Sequence, residues 1–163
     1  MRENPAREKS APVRTPSTTR KLSMSRRILF ACTLNSVRSP MAAGLLQHLV
    51  AESHLAVEAA GVHAEPINPF AVAVMLETGI DLGGYIAKTL YDLPRALPFE
   101  TSIALSGPAY EALHSFPSSF TGAVLFWDIP MPASEIGHRN QQLAQYRLLR
   151  DDLRRRITTH FSL

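Results

Sequence analysis

Between Arg26 and Leu46 (RRILFACTLNSVRSPMAAGLL) an apolar run, a cysteine, a short loop, an arginine and a helix-forming stretch follow one another, and this succession limits what the chain can fold into more than any other segment. Ile28-Leu29-Phe30-Ala31 has the composition of a buried strand. It ends on Cys32, the only cysteine of the protein. Arg38 and Ser39 come six and seven positions later, and Pro40 suits a first helical position, where no amide hydrogen is needed. Apolar residues then recur at three- and four-residue spacing through Met41, Leu45, Leu46 and Leu49, which predicts a helix.

A strand, a tight loop and a helix N-terminus in succession make an anion-binding arrangement. Backbone N–H groups of the loop converge, and the positive end of the helix dipole adds to their field. The same field, with Arg38 beside it, favours the thiolate form of a cysteine at the start of the loop. Arg38 offers a planar fork that can hold two oxygens of a tetrahedral oxyanion. Cys32 as nucleophile, Arg38 as clamp and the amides of Thr33, Leu34, Asn35, Ser36, Val37, Arg38 and Ser39 as cradle form one device: a thiolate aimed at the central atom of a bound phosphate-like ion. The competing reading is a buried structural cysteine with an unrelated surface arginine nearby.

Further along, Leu55–Val62 reads as a second strand, and Pro66, Asn68 and Pro69 mark a turn into a helix over residues 70–78 that Gly79 closes. Residues 81–92 read as a loop containing Gly83-Gly84, running on into Leu93-Pro94. Ser102–Leu105 is a third strand, a short helix follows near residues 109–114, and Gly122–Phe126 is a fourth strand. A last helix over residues 139–157 places Leu143, Tyr146, Leu149, Leu153 and Ile157 on one face. Its other face, with Arg147, Arg150, Asp151 and Arg154, reads as a solvated surface carrying ion pairs within the helix. Strands alternating with helices predict an open, doubly wound sheet of about four parallel strands with helices on both faces, a three-layer α/β/α fold. Ligands of such sheets bind beyond the carboxyl ends of the strands, where Cys32 and Asp128 both lie.

The formal charge of +3 is unevenly distributed. Residues 1–23 hold six Lys/Arg and two acids, a net of +4, which leaves −1 for residues 24–163. The basic balance therefore belongs to a Pro-, Ser- and Arg-rich tail that cannot bury enough surface to order itself, and it gives no ground for a nucleic-acid partner. Residues 24–163 are expected to form one domain, with Met24 an alternative start of translation. No run reaches the length of a membrane-spanning helix, and one cysteine excludes an internal disulfide framework and suits a reducing cytoplasm. The six histidines are scattered without metal-ligand spacing, so neither a metal nor another cofactor is expected.

Cys-x5-Arg-Ser followed by Pro-Met-Ala, directly after an apolar strand, resembles the loop of the low-molecular-weight protein tyrosine phosphatases, a superfold that includes arsenate reductases. The resemblance extends over residues 26–157. It implies a phosphocysteine intermediate on Cys32, a backbone-stabilising role for Asn35, and a hydroxyl donated to the thiolate by Ser39. Leu34 stands where the family often has glycine, and Val37 where it often has a second cysteine, so no partner is present to trap an oxidised Cys32 as a disulfide.

The family's proton donor is an aspartate directly before a proline, in the loop after the fourth strand. That loop here reads Trp127-Asp128-Ile129-Pro130-Met131-Pro132, and by spacing to Gly137 the Asp-Pro position falls on Met131-Pro132. Methionine has no proton to give. Asp128 either serves as a displaced acid or caps a turn, with Glu135 a more distant candidate. Ala133 and Ser134 follow where aromatic residues that flank a phosphotyrosine ring are common. The expected function is a cysteine-dependent phosphatase acting on phosphomonoesters, phosphotyrosine among them. One alternative is an arsenate reductase drawing electrons from an external thiol or redoxin, because the three-cysteine relay of some relatives is excluded. The other is an oxyanion-binding regulatory module that has lost turnover.

Overall fold

The computed structural model describes residues 26–133 and 137–163; the basic tail, Met24, Ser134 and Glu135 lie outside them. Four strands, β1 (Arg27–Cys32), β2 (Ala56–Gly61), β3 (Thr101–Ala104) and β4 (Ala123–Phe126), form a parallel sheet in the order β2-β1-β3-β4. Helices α1 (Arg38–Leu49), α2 (Pro69–Leu76), α3 (Gly107–His114), α4 (Ser118–Thr121) and α5 (Arg139–Phe161) cover it, with a 3-10 turn at Leu90–Asp92. The order reverses between β1 and β3. A crevice therefore opens at the carboxyl end of β1, where Cys32 is the last strand residue.

Strand alternation divides the core into two layers. Ile28, Phe30 and Cys32 face α1, α2 and α5, where Met41, Leu45, Val74, Leu149 and Leu153 pack against them. Leu29 and Ala31 face Leu90, Phe99, Leu113 and Phe120 on the opposite side. β1 is thus buried on both faces, which is why its sequence is a continuous apolar run. Each fully buried Leu or Ile in these layers contributes about 1.5–3 kcal/mol.

Most elements lie within a residue or two of their expected bounds. Pro40 is the third helical residue of α1, since the helix already begins at Arg38; a first-turn position leaves its missing amide harmless all the same. Asn68 caps α2 by accepting from the Phe70 amide (2.8 Å), and Gly79 ends the segment at φ 82°, with the Ile80 amide reaching back to the Met75 carbonyl (3.1 Å). α4 has no counterpart in the sequence reading. α5 runs four residues beyond Ile157, where the His160 ring meets Trp127 edge-on (5.6 Å between centroids). Among the described residues no helix is long and apolar enough to cross a membrane.

The outer face of α5 corrects one expectation. Arg147 does not pair within its own helix, and Arg150, which also bonds its neighbour Asp151 (2.9 Å), converges with it on Glu77 at the end of α2 (2.7 and 2.8 Å) and donates to the Val74 carbonyl (2.8 Å). Two arginines one turn apart thereby neutralise a carboxylate and cap the C-terminus of α2, where cations are favoured. Among the described residues the pairs of Arg155 and Arg156 with Asp152 follow the expected three- and four-residue spacing within the helix.

Hydrogen bonds from Arg147 and then Arg150 hold the Glu77 carboxyl down at about 2, against an ordinary 4.5. A folded value below the unfolded one means that this contribution is complete above the ordinary carboxylate range and is lost as pH falls through about 2. Thermal unfolding of the parent is therefore expected to decline more steeply between pH 4.5 and 2 than that of Glu77→Gln. Superimposable pH profiles would contradict the clamp.

Candidate active site

The loop from Cys32 to Ser39 is shaped by what its carbonyl groups do. The amides of Val62, His63, Glu65 and Asn68 donate to the carbonyls of Cys32 (3.0 Å), Thr33 (2.8 Å), Leu34 (3.0 Å) and Ser36 (2.9 Å), and the Met41 amide to that of Val37 (3.1 Å). In a trans peptide the C=O and the following N–H point opposite ways, and no peptide bond here is cis. Carbonyls tied outward therefore turn the amides of Thr33, Leu34, Asn35, Val37 and Arg38 toward the interior of the loop. Among the described residues none of the amides from 33 to 39 donates to a protein acceptor. A cavity of about 200 Å³ lies there, lined by Cys32, Thr33, Leu34, Ser36, Val37, Arg38 and Met131.

Asn35 holds the turn. It adopts the left-handed conformation (φ 52°), which asparagine tolerates better than most residues, and it is fully buried. Its Nδ2 donates to Ser39 Oγ (2.8 Å), and Ser39 Oγ lies 2.9 Å from Cys32 Sγ. With its oxygen already accepting from Asn35, the Ser39 hydroxyl is free to donate to a thiolate. The Asn35 Oδ1 accepts from Tyr85 Oη (2.7 Å) and from the Lys88 amide (2.9 Å). Burial, helped by the charges of Cys32 and Glu58 and opposed by the bond to Asn35, pushes the Tyr85 hydroxyl up to about 12, so it stays a donor across the physiological range.

Arg38 reaches across the crevice. Its Nη1 donates to the Ile129 carbonyl (2.9 Å) and more weakly to that of Leu105 (3.4 Å), and Nη2 is 3.5 Å from Thr33 Oγ1. Nε is buried without a partner. Nε and Nη2 form one edge of the guanidinium, so the edge left over is the one that grips two oxygens side-on. Burial pulls the guanidinium below its ordinary value, and the charges of Cys32 and Asp128 act against that.

Asp128 and Met131 are placed differently. Asp128 is exposed, makes no capping hydrogen bond among the described residues, and is absent from the cavity wall. Its negative charge lies near enough to Arg38 to favour the charged guanidinium. Met131 lines the cavity with its side chain 41% exposed. Glu135 falls outside the described residues. Among the described residues no group of His, Cys, Asp and Glu is placed to hold a metal ion.

The model of the low molecular weight phosphotyrosine protein phosphatase family matches residues 27–126, all four strands and the whole loop. The chain belongs to this family. The match stops at Phe126, one residue before the segment in which Asp128 and Met131 lie. An arsenate reductase of Halalkalibacterium halodurans is 32% identical over 132 residues, covering 81% of this chain and 92% of its own. A low molecular weight protein tyrosine phosphatase from T. tengcongensis superposes with a TM-score of 0.70 at 25% identity, covering 85% of this chain and 99% of its own. The YwlE arginine phosphatase from Geobacillus stearothermophilus gives 0.65 at 27% identity, covering 81% and 88%.

Two participants escaped the sequence reading. Tyr85 sits fifty positions from Asn35 in a Gly-Gly loop, and nothing in its surroundings points to the cysteine loop. Gly61 did carry a signal, a glycine at the end of a strand, which often marks close backbone approach. A Cβ there would collide with the His63 carbonyl and come within 2.8 Å of the Asn35 amide. Tyr85→Phe removes one of two donors to a buried acceptor and is expected to lower stability by about 0.5–1.5 kcal/mol in denaturant unfolding. Gly61→Ala should lose about 1–3 kcal/mol through overpacking at the loop. Wild-type stability in both would contradict this support.

Proposed function

We propose that the chain is a cysteine-dependent phosphatase in which Cys32 attacks the phosphorus of a bound phosphoryl group and forms a phosphocysteine that water then cleaves. The observation that carries the reading is the set of inward amides of Thr33, Leu34, Asn35, Val37 and Arg38, without a protein acceptor among the described residues, closed on one side by Cys32 Sγ and on the other by the unpartnered Nε of Arg38. Such fixed donors stabilise the equatorial oxygens as charge shifts onto them in the transition state. Membership in a family of phosphatases supports the same chemistry.

Arsenate reduction is the second reading, favoured by the name of the Halalkalibacterium relative. The same cradle would take arsenate and Cys32 would form the arsenylated thiolate, but with one cysteine in the chain the electrons must come from an external thiol or redoxin. A phosphoarginine substrate, suggested by the Geobacillus neighbour, is less well served. Its guanidine leaving group needs protonation, and among the described residues no carboxylate lines the cavity. A pure binding module would keep the anion affinity and lack turnover on every donor.

Cys32→Ser is expected to abolish phosphate release from p-nitrophenyl phosphate while retaining inorganic phosphate binding, because the cradle survives and only the thiolate is lost. Arg38→Lys should also be severe, since an ammonium cannot reproduce the two-point grip. Turnover that survives in Cys32→Ser excludes covalent catalysis here. Thiol-dependent arsenite formation from arsenate, with no phosphate release, selects the second reading.

A further inference from the structure

Resting on the phosphatase reading, we infer that the substrates are phosphoryl donors whose leaving group departs without a proton, and specifically acyl phosphates, the mixed anhydrides of a carboxylic acid and phosphate. The argument begins with what lines the cavity. Met131 occupies the wall beside Cys32, Leu34 stands next to it, and Asp128 is turned to solvent off that wall. Among the described residues, the side chains there that carry exchangeable protons, besides Cys32 itself, are the hydroxyls of Thr33 and Ser36 and the Arg38 guanidinium. None of these is acidic enough to protonate a departing oxygen near neutral pH. A phenolate or alkoxide must then leave as a strong base, whereas a carboxylate, with a pKa of about 4, is stable as it departs.

The wall also narrows the choice among good leaving groups. A nucleotide or diphosphate would bring more negative charge into the cavity, and Arg38 is the only cation lining it among the described residues. Leu34 and the Met131 thioether instead offer apolar contact, which suits an acyl group. In the first step the Sγ–P bond forms as the anhydride P–O bond breaks, and the electron pair leaves on the carboxylate. In the second step water attacks phosphorus, the S–P pair returns to sulfur as thiolate, and the proton from water passes to a phosphate oxygen or to solvent.

The test compares kcat/KM for acetyl phosphate, p-nitrophenyl phosphate and phenyl phosphate on the full chain, each corrected for spontaneous hydrolysis and for Cys32→Ser. Acetyl phosphate and p-nitrophenyl phosphate are expected to exceed phenyl phosphate by about 10²–10⁴-fold, the factor a positioned acid would otherwise supply. Met131→Asp should shrink that gap by raising phenyl phosphate alone. Comparable values for phenyl and acetyl phosphate in the parent would overturn the inference and leave the phosphatase reading standing. Turnover of none of the three would overturn both.

Discussion

A thiol and an arginine six residues apart can grip one anion only if the backbone between them turns its amides the same way, and the bonds that enforce this run outward to the segment from Val62 to Asn68. Four carbonyls of the loop are anchored there, so the cradle depends on the strand end and turn beside it as much as on its own sequence. Gly61 permits the close approach, because any side chain would strike the His63 carbonyl. β1 is buried on both faces and leaves Cys32 at its carboxyl end, at the switch point of the sheet. The fold thus supplies a rigid floor, and the proposed anion site is a row of amides without protein partners among the described residues.

Inside the loop a chain of polar contacts joins Tyr85, Asn35, Ser39 and Cys32. Buried side chains carrying hydrogen-bond donors and acceptors are costly unless each has a partner, and here each satisfies the next. The chain also orients the Ser39 hydroxyl. Asn35 donates a hydrogen bond to its oxygen, which leaves the hydroxyl hydrogen for sulfur or for the Ala60 carbonyl (3.3 Å). Arg38 works at the opposite edge, tied through Nη1 to the Ile129 carbonyl so that its position follows that of the loop after β4. The same loop brings Met131 into the cavity, which links the placement of the clamp to the composition of the wall.

The layered α/β/α fold was legible because its elements differ in period. The apolar run before Cys32 has the composition of a strand covered on both sides, and Leu143, Tyr146, Leu149, Leu153 and Ile157 mark a buried helical stripe. The site was legible where residues are close in the chain, as with Cys32, Asn35, Arg38 and Ser39. Contacts between distant segments were not. Arg147 and Arg150 look like any solvated helix face until α2 brings Glu77 beneath them. Tyr85 looks like a loop aromatic until its hydroxyl meets Asn35. α4 is four residues long, too short to show a period. Spacing put the family's acid position at Met131, beyond the end of the family match, and the structure places that side chain on the cavity wall. Spacing could not tell which way Asp128 faces, since its direction is set by how the chain leaves β4.

The central claim is that the Cys32 sulfur becomes covalently bonded to phosphorus during turnover. The most direct measurement is to quench the protein in acid during reaction with p-nitrophenyl phosphate and map the phosphoryl group by peptide mass spectrometry. The account predicts one phosphoryl group, on the peptide that carries Cys32, and none on the corresponding peptide of the Cys32→Ser protein. Steady turnover with an unmodified Cys32 peptide, or a phosphoryl group on a residue outside the loop, would contradict it.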